Sequence, residues 1–278
     1  MQEILKRFWV EKFECFSIYG SDAKKFLNGI TTANIINSDS KVCKTCWLTP
    51  NGILKALFEI NYLENKLDLI ILEGNTSEVG DYLNKIIFPS DDVSISDPFL
   101  INRLQEVDEI NSWRISQPIF FNNDSKEYEI YENKKNLLNF NELKLWKINQ
   151  AIPSLGNEIN GKTNPLELGL TDCIDFKKGC FLGQETMSKI RNVSSLKQEI
   201  RVWTSLDYKS DINFENNKIY LDSFKKKSVG IMTSFYKFNK HIKGLAMIKR
   251  QYLEIGNYFY SEIFGQIKIS KSVGSIFI

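Results

Sequence analysis

Histidine is almost missing from this chain: one residue in 278, His241. Serine and cysteine hydrolase triads usually need a histidine base, and zinc sites usually recruit several ligands, so both classes are set aside. His241 itself falls in a strand-like run and reads as a surface or core residue. One-sided charge is missing too. Lys+Arg 36 against Asp+Glu 34 leaves a formal net charge of +2. Such balance supplies no field for non-specific binding to nucleic acid or to a membrane surface. No stretch approaches the ~20 apolar residues of a membrane span. Residues 1–8 have too short an apolar run for a signal or transit peptide, and Glu3, Glu11 and Glu14 add too much acid. A cytoplasmic protein is expected. Neither internal repeats nor low-complexity tracts are evident. Cysteines are few and odd in number (15, 43, 46, 173 and 180), so without an export signal free thiols are the default.

What is present is the composition of an ordinary soluble globular protein, 42% hydrophobic and 25% charged. The length predicts two or three domains. Residues 13–18 alternate as a strand. Ser21 and Asp22 can cap a short helix running through Phe26 and Leu27, with Gly29 as its stop. Residues 45–48 and 53–60 read as strands around Thr49-Pro50-Asn51-Gly52, whose proline and glycine suit a β-turn. A third strand covers 67–72. Asn75 then caps a helix with Glu78 as its box partner, and Val79, Tyr82, Leu83, Ile86 and Ile87 share one face. Residues 93–95 begin a short strand. Residues 113–115 and 128–131 look like strands about a turn at 122–124, and 137–148 has helical spacing. Strands in a row with helices set on one side predict an α+β fold. From residue 198 short apolar strands alternate with polar turns, and 198–278 is expected to form a small β-barrel domain. Lys225, Lys226 and Lys227 fall at a solvated hairpin tip. Residues 1–197 then form the first region, expected as two interleaved α+β subdomains.

Everything else is organised around residues 177–185, Lys-Lys-Gly-Cys-Phe-Leu-Gly-Gln-Glu. Two glycines, a cysteine, a lysine and an amide–carboxylate pair in nine residues are more than packing requires. Gly179 and Gly183 can take positive φ and admit a ligand or a second backbone. Cys180 would sit on a tight loop. Gln184 and Glu185 open a short helix in which Glu185 and Lys189 lie four apart. A loop leading into a helix start would lower the pKa of a nearby thiol. The alternative is a glycine-rich turn whose cysteine is a small buried apolar residue.

Lys178-Gly179-Cys180-Phe181, Gly183-Gln184-Glu185 resembles the K-G-C-[FY]-x-G-Q-E motif of the YgfZ-type folate-binding proteins, relatives of the glycine-cleavage T-protein. Further segments resemble that family in order. Residues 20–35 follow its G-x-D-A-x-x-F-L-Q-G-x-x-T-N-D-V pattern, departing at Asn28, Ala33 and Asn34. Residues 145–153 follow its R-I-x-x-G-I-P segment, with Lys147 and Ala151 as departures. Residues 164–167, 229–234 and 244–248 match three more. The resemblance implies a T-protein-like region followed by a β-barrel, and a cofactor: tetrahydrofolate or another reduced folate. It implies a role in iron–sulfur cluster assembly or repair, tRNA-modifying enzymes included. Partners would be iron–sulfur client enzymes and assembly proteins, with no direct nucleic acid and no membrane, for a protein acting as a monomer. Implied folate-site residues are Lys178, Gly179, Cys180, Phe181, Gly183, Gln184, Glu185 and Arg191. Asn149 joins them, standing where relatives place a glutamate against the pterin ring. Cys180 would be the functional thiol. Gln184 and Glu185 would hold the loop, and Lys178 or Arg191 would meet an anionic group. A plain surface pair with Lys189 is the other reading of Glu185.

Two other functions remain to be weighed. Aminomethyl transfer, the T-protein reaction, needs an acidic pair after a glycine turn. Aligned on Gly52, those acids fall on Ala56 and Leu57, and methyl groups cannot do a carboxylate's work. The chain is therefore expected not to be a classical enzyme. Cys43-x-x-Cys46 could be half a zinc site or a redox pair, but no second pair exists and no helix follows. On a strand, positions three apart point to opposite faces, so structural thiols are expected. Cluster ligation by Cys180 plus other residues has no ligand spacing behind it.

Overall fold

The computed structural model describes residues 7–107, 112–122, 136–190, 196–205, 216–238 and 241–271. Its first half is a seven-stranded sheet. Arg7–Tyr19 (β1) lies at its centre, with Val42–Leu48 (β2), Leu54–Tyr62 (β3) and Leu67–Glu73 (β4) on one side. Phe99–Val107 (β6) and Ile119–Phe121 (β7) follow on the other, and Ser94–Ile95 (β5) adds to the end of β1. All these pairs are antiparallel.

Alternation along the strands sorts side chains between two cores. Leu57, Ile70 and Cys15 face one cluster, while Ala56, Phe58, Leu69, Ile71 and Phe16 face the other. The second face is covered by Ala23–Ile30 (α1) and Thr76–Ile86 (α2). Leu27, Val79 and Leu83 bury against it. The first face is covered by Trp113, Ile148 of the helix Phe140–Asn149, and the stretch around Leu166, Leu168, Leu170 and Phe181. The sheet is thus sandwiched rather than covered on one side.

The remaining strands close into a six-stranded barrel, order β10-β11-β8-β13-β12-β9. They are Gln198–Ser205 (β8), Lys218–Tyr220 (β9), Ser228–Phe238 (β10), His241–Lys249 (β11), Tyr258–Ser261 (β12) and Gly265–Ser270 (β13). Along β11, Ala246 and Ile248 fill the barrel, whereas Leu245 and Met247 turn outward into the first cluster of the large sheet. One strand therefore serves two cores. Among the described residues no helix is long and apolar enough to cross a membrane.

Several elements differ from their sequence reading. Residues 113–115 belong to a helical turn, Ser112–Ile115, not a strand. Trp113 is only 1% exposed, and burying that ring against the sheet outweighs the local β preference of its aromatic and branched neighbours. Asp22 stands at the helix start but gives no side-chain cap. Its carboxylate accepts from the Asp92 amide at 3.1 Å while Asp92 accepts from the Ser21 amide at 2.8 Å. Gly29 lies inside α1, which ends at Ile30 with Thr31 as its extended cap. Asn75 does cap α2, accepting from the Glu78 amide, but the Glu78 carboxylate pairs with Lys55 instead of closing the box. A complete capping box occurs at Asn139 and Glu142. The strand expected at 128–131 lies outside the described residues.

Candidate functional site

The Thr49-Pro50-Asn51-Gly52 turn forms as expected: the Gly52 amide donates to Thr49 O at 2.9 Å, and Gly52 takes φ +73°. The 177–185 loop is seated on this turn. Gly183 sits at φ +82°, and a Cβ there would lie 2.7 Å from Thr49 O and 3.1 Å from Gly52 Cα. A Cβ on Gly52 would in turn lie 3.2 Å from the sulfur of Met187. Two left-handed glycines back onto each other, and only glycine tolerates both the conformation and the approach. The helix Gln184–Lys189 starts from Gly183.

Lys178 fixes the loop's other end. Its ammonium donates to the carbonyls of Asn28 (2.5 Å), Thr31 (2.7 Å) and Ala33 (2.6 Å), collecting the chain where α1 ends. An ammonium has three donors, and all three are used. Lys178 is 8% exposed, and burial lowers its pKa to about 8 against the opposing pull of Asp175 and Cys43. It serves the fold here and has no donor left for an anionic ligand. Phe181 plugs the first core cluster and Leu182 packs on the second. The Gln184 side chain accepts from the Phe181 amide at 3.3 Å, so it does hold the loop. Glu185 does not hold it. It is exposed and pairs with Lys189 at 2.8 Å, the plain surface ion pair. Gly179 shows no positive φ, and a Cβ there would meet nothing within 4 Å.

Cys180 is the one exposed thiol among five free cysteines. Cys15, Cys46 and Cys173 are buried and Cys43 is half-buried, with burial pushing its thiol up to about 11. Cys43 packs on the second cluster and Cys46 in the first, so the pair does straddle the β2 strand.

Beside the loop helix opens a groove of about 940 Å³, walled by Asn51 of the turn and Ile53 just after it, Thr186 of the helix and Ile190 at its C-terminal cap, and Leu196. Lys162, Lys197, Lys249 and Arg250 line it against Glu167 and Glu254, which leaves it cationic. The motif residues back this groove without lining it. Asn149 is elsewhere, on the helix Phe140–Asn149, where it accepts from Lys243 of the barrel at 3.3 Å. Arg191 lies outside the described residues.

One carboxylate went unread in the sequence. Ala56 and Leu57 are both buried, on opposite faces of β3, but Glu73 of the neighbouring strand pairs in register with Leu57. Burial raises its pKa, with nearby Glu11 and Glu158 adding to the rise, against a hydrogen bond from the Leu155 amide at 2.9 Å. Counting back from the 64–66 turn, which pairs Tyr62 with Leu67, brings Glu73 close to Leu57. That count was the available signal.

Comparison with known proteins gives the wider setting. No family model matches the chain. An uncharacterized protein of Haemophilus influenzae is 22% identical over 201 residues, 65% of this chain and 66% of its own length. An aminomethyltransferase of Thermoanaerobacter pseudethanolicus is 30% identical over 110 residues, 38% of this chain and 28% of its own. The chain thus matches less than two thirds of either relative. A crystal structure of the glycine cleavage system aminomethyltransferase T from Bartonella henselae superposes with a TM-score of 0.73. That likeness spans 97% of this chain and 86% of that one at 12% identity. From the sheet through the barrel, this chain has the fold of a glycine-cleavage aminomethyltransferase.

Proposed function

We propose that this protein binds a reduced folate, tetrahydrofolate or a close relative, and assists the assembly or repair of iron–sulfur clusters in client enzymes. On this reading it acts as a monomeric cytoplasmic accessory factor. The observation that carries the proposal is the loop of residues 178–185, seated on the glycine turn within an aminomethyltransferase-like fold. The buried Lys178 and Phe181 and the tightly packed Gly183 build a rigid mount, and what the mount presents is the exposed Cys180. The adjoining groove supports the ligand class. Flat rings need apolar walls, which Ile53, Ile190 and Leu196 offer, and a glutamyl tail needs cations, which Lys162, Lys197 and Lys249 offer. The exposed Cys180, which does not line the groove, would then act on a client or a cluster precursor.

Calorimetry with tetrahydrofolate tests the first half, with Lys197→Ala and Lys249→Ala alongside. Saturable binding, weakened several-fold by either change, is the expected result. No heat and no thermal shift at millimolar folate would sink it. Cys180→Ser should leave folate binding intact and abolish support of iron–sulfur enzymes in cells.

A second reading, folate-dependent aminomethyl transfer, is favoured by one observation. Glu73 brings a half-buried carboxylate with a raised pKa beside the position where the acidic pair is missing. Folate-dependent methylene transfer from an aminomethyl-lipoyl carrier, lost in Glu73→Gln, would establish it.

A further inference from the structure

Two of the free thiols have no part in the loop or its groove, and they meet each other. Cys46 comes from β2 and Cys173 from the short helical turn Thr171–Cys173, and both bury in the same core cluster. One hydroxyl fixes their backbones. Thr32 Oγ1 accepts from the Cys46 amide at 2.9 Å and donates to the Cys173 carbonyl at 2.6 Å. The two side chains are hydrogen-bonded to each other, Cys46 as donor and Cys173 as acceptor.

The two thiols differ in reactivity. The hydrogen bond from Cys46 holds the Cys173 thiol below its ordinary pKa, against burial and Asp172, with Arg114 and Lys44 adding to the fall. Burial first, and then the same contact, keeps Cys46 well above its own. Cys173 is therefore the nucleophile of the pair and Cys46 the partner that keeps its proton. Access comes from one side. Cys173 lines a half-open cavity of about 180 Å³ beside β2, together with Lys44, Trp113, Arg114 and Cys43. Its volume is that of about six waters at roughly 30 Å³ each. Cys173 is 2% exposed and Cys46 is 0% exposed, so a water-sized oxidant reaches Cys173 by this route and a bulky one does not.

We propose that Cys173 and Cys46 form an oxidation site for hydrogen peroxide, with Cys173 attacking the oxidant and Cys46 closing a disulfide onto it. In the first step the Cys173 sulfur attacks one peroxide oxygen, the O–O bond breaks, and the departing hydroxide takes a proton from solvent to become water. In the second the Cys46 sulfur attacks the sulfenic sulfur, the S–O bond breaks, and the hydroxyl leaves as water with the Cys46 proton. Peroxide is reduced to two waters while the two thiols together lose two electrons. The new bond would tie β2 to the root of the 177–185 loop, because Thr31 and Ala33, on either side of Thr32, are residues that Lys178 holds. The inference does not rest on folate binding.

Limited hydrogen peroxide added to the reduced full chain tests it, followed by blocking of free thiols in denaturant and non-reducing peptide mapping. A peptide linking Cys46 to Cys173 is expected, with Cys15 and Cys43 recovered as thiols. Cys46→Ser should leave Cys173 as a sulfenic acid that a cyclic diketone traps, and Cys173→Ser should leave Cys46 reduced. Cumene hydroperoxide, too large for the cavity, should form the link at least about 10-fold more slowly than hydrogen peroxide. No linked peptide at doses that oxidise the exposed Cys180 overturns the proposal. So does linkage of Cys173 to Cys43, or an equal rate with cumene hydroperoxide, which would place the reaction in a locally opened chain. Should either serine variant fail to fold, the linked peptide and the ratio of the two oxidants in the wild-type chain decide the matter.

Discussion

The 178–185 loop and the Lys44–Arg114 cavity each bring a buried cation near cysteines, and they are built in opposite ways. At the loop the Lys178 ammonium is spent on three carbonyls and the Phe181 N–H on Gln184. At the cavity, buried donors on Trp113 and Arg114 are left over. A fully spent donor ties segments together, whereas a buried donor left over is a cost the rest of the fold must offset. Motif membership alone does not tell the two apart. Lys178 lies in the most distinctive motif of the chain and acts as a tether, whereas Lys44 and Arg114 lie in no motif.

The largest expected effect that would break this contrast is at the tether. Lys178→Met strands three carbonyls and should destabilise by about 3 kcal/mol or more, read as a fall in the denaturant midpoint. Loss of stability below 1 kcal/mol would mean the carbonyls find water, and the loop would have to be regarded as loosely held. Next comes Gly183→Ala, which forces a Cβ against Thr49 O in a left-handed conformation. About 2 kcal/mol is expected, with Gly179→Ala as its internal control at less than about 0.5 kcal/mol. Equal effects at the two glycines would contradict the packing of the loop on the turn.

Smaller effects sharpen the comparison. Trp113→Phe, which removes an unpaired donor, should leave stability within about 0.5 kcal/mol, unlike any change at Lys178. In alkylation near neutral pH, mass spectrometry should find Cys180 labelled first. It is exposed, while the others are buried or, for Cys43, pushed up to about 11. First labelling at Cys43 would reverse the assignment of the accessible thiol. The weakest signal is in pH. The Lys178 pKa is lowered to about 8 in the fold, below the ordinary lysine value of 10.5. Between those values the unfolded chain binds more protons, so this group's contribution to stability grows as pH rises through that window and is absent below it. Lys178→Met should remove that slope.

Much of the fold was legible because it follows from local rules. The alternation at 53–60 and 67–72, the Pro50–Gly52 turn, the Asn75 cap and the barrel spacing after residue 198 each follow from neighbours in sequence. Within the loop, Gly183 and Gln184 could be read for the same reason. Trp113 could not, because its ring's burial under the sheet outweighs its strand-like neighbours. Glu185 and Gly179 were over-read, since a motif says which residues occur together without saying which of them point inward.

What the sequence by itself determined was the order of strands and turns and the position of a glycine-bounded cysteine loop, which depend on contacts a few residues apart. Tertiary structure alone decided the rest. Lys178 meets Asn28, Thr31 and Ala33 from about 150 positions away along the chain, and Glu73 meets Leu57 across a strand pair. Lys44, Trp113, Arg114 and Cys173 converge on one cavity from three separate segments. Which buried donors find an acceptor depends on such long-range closure, and no local pattern of residues encodes it.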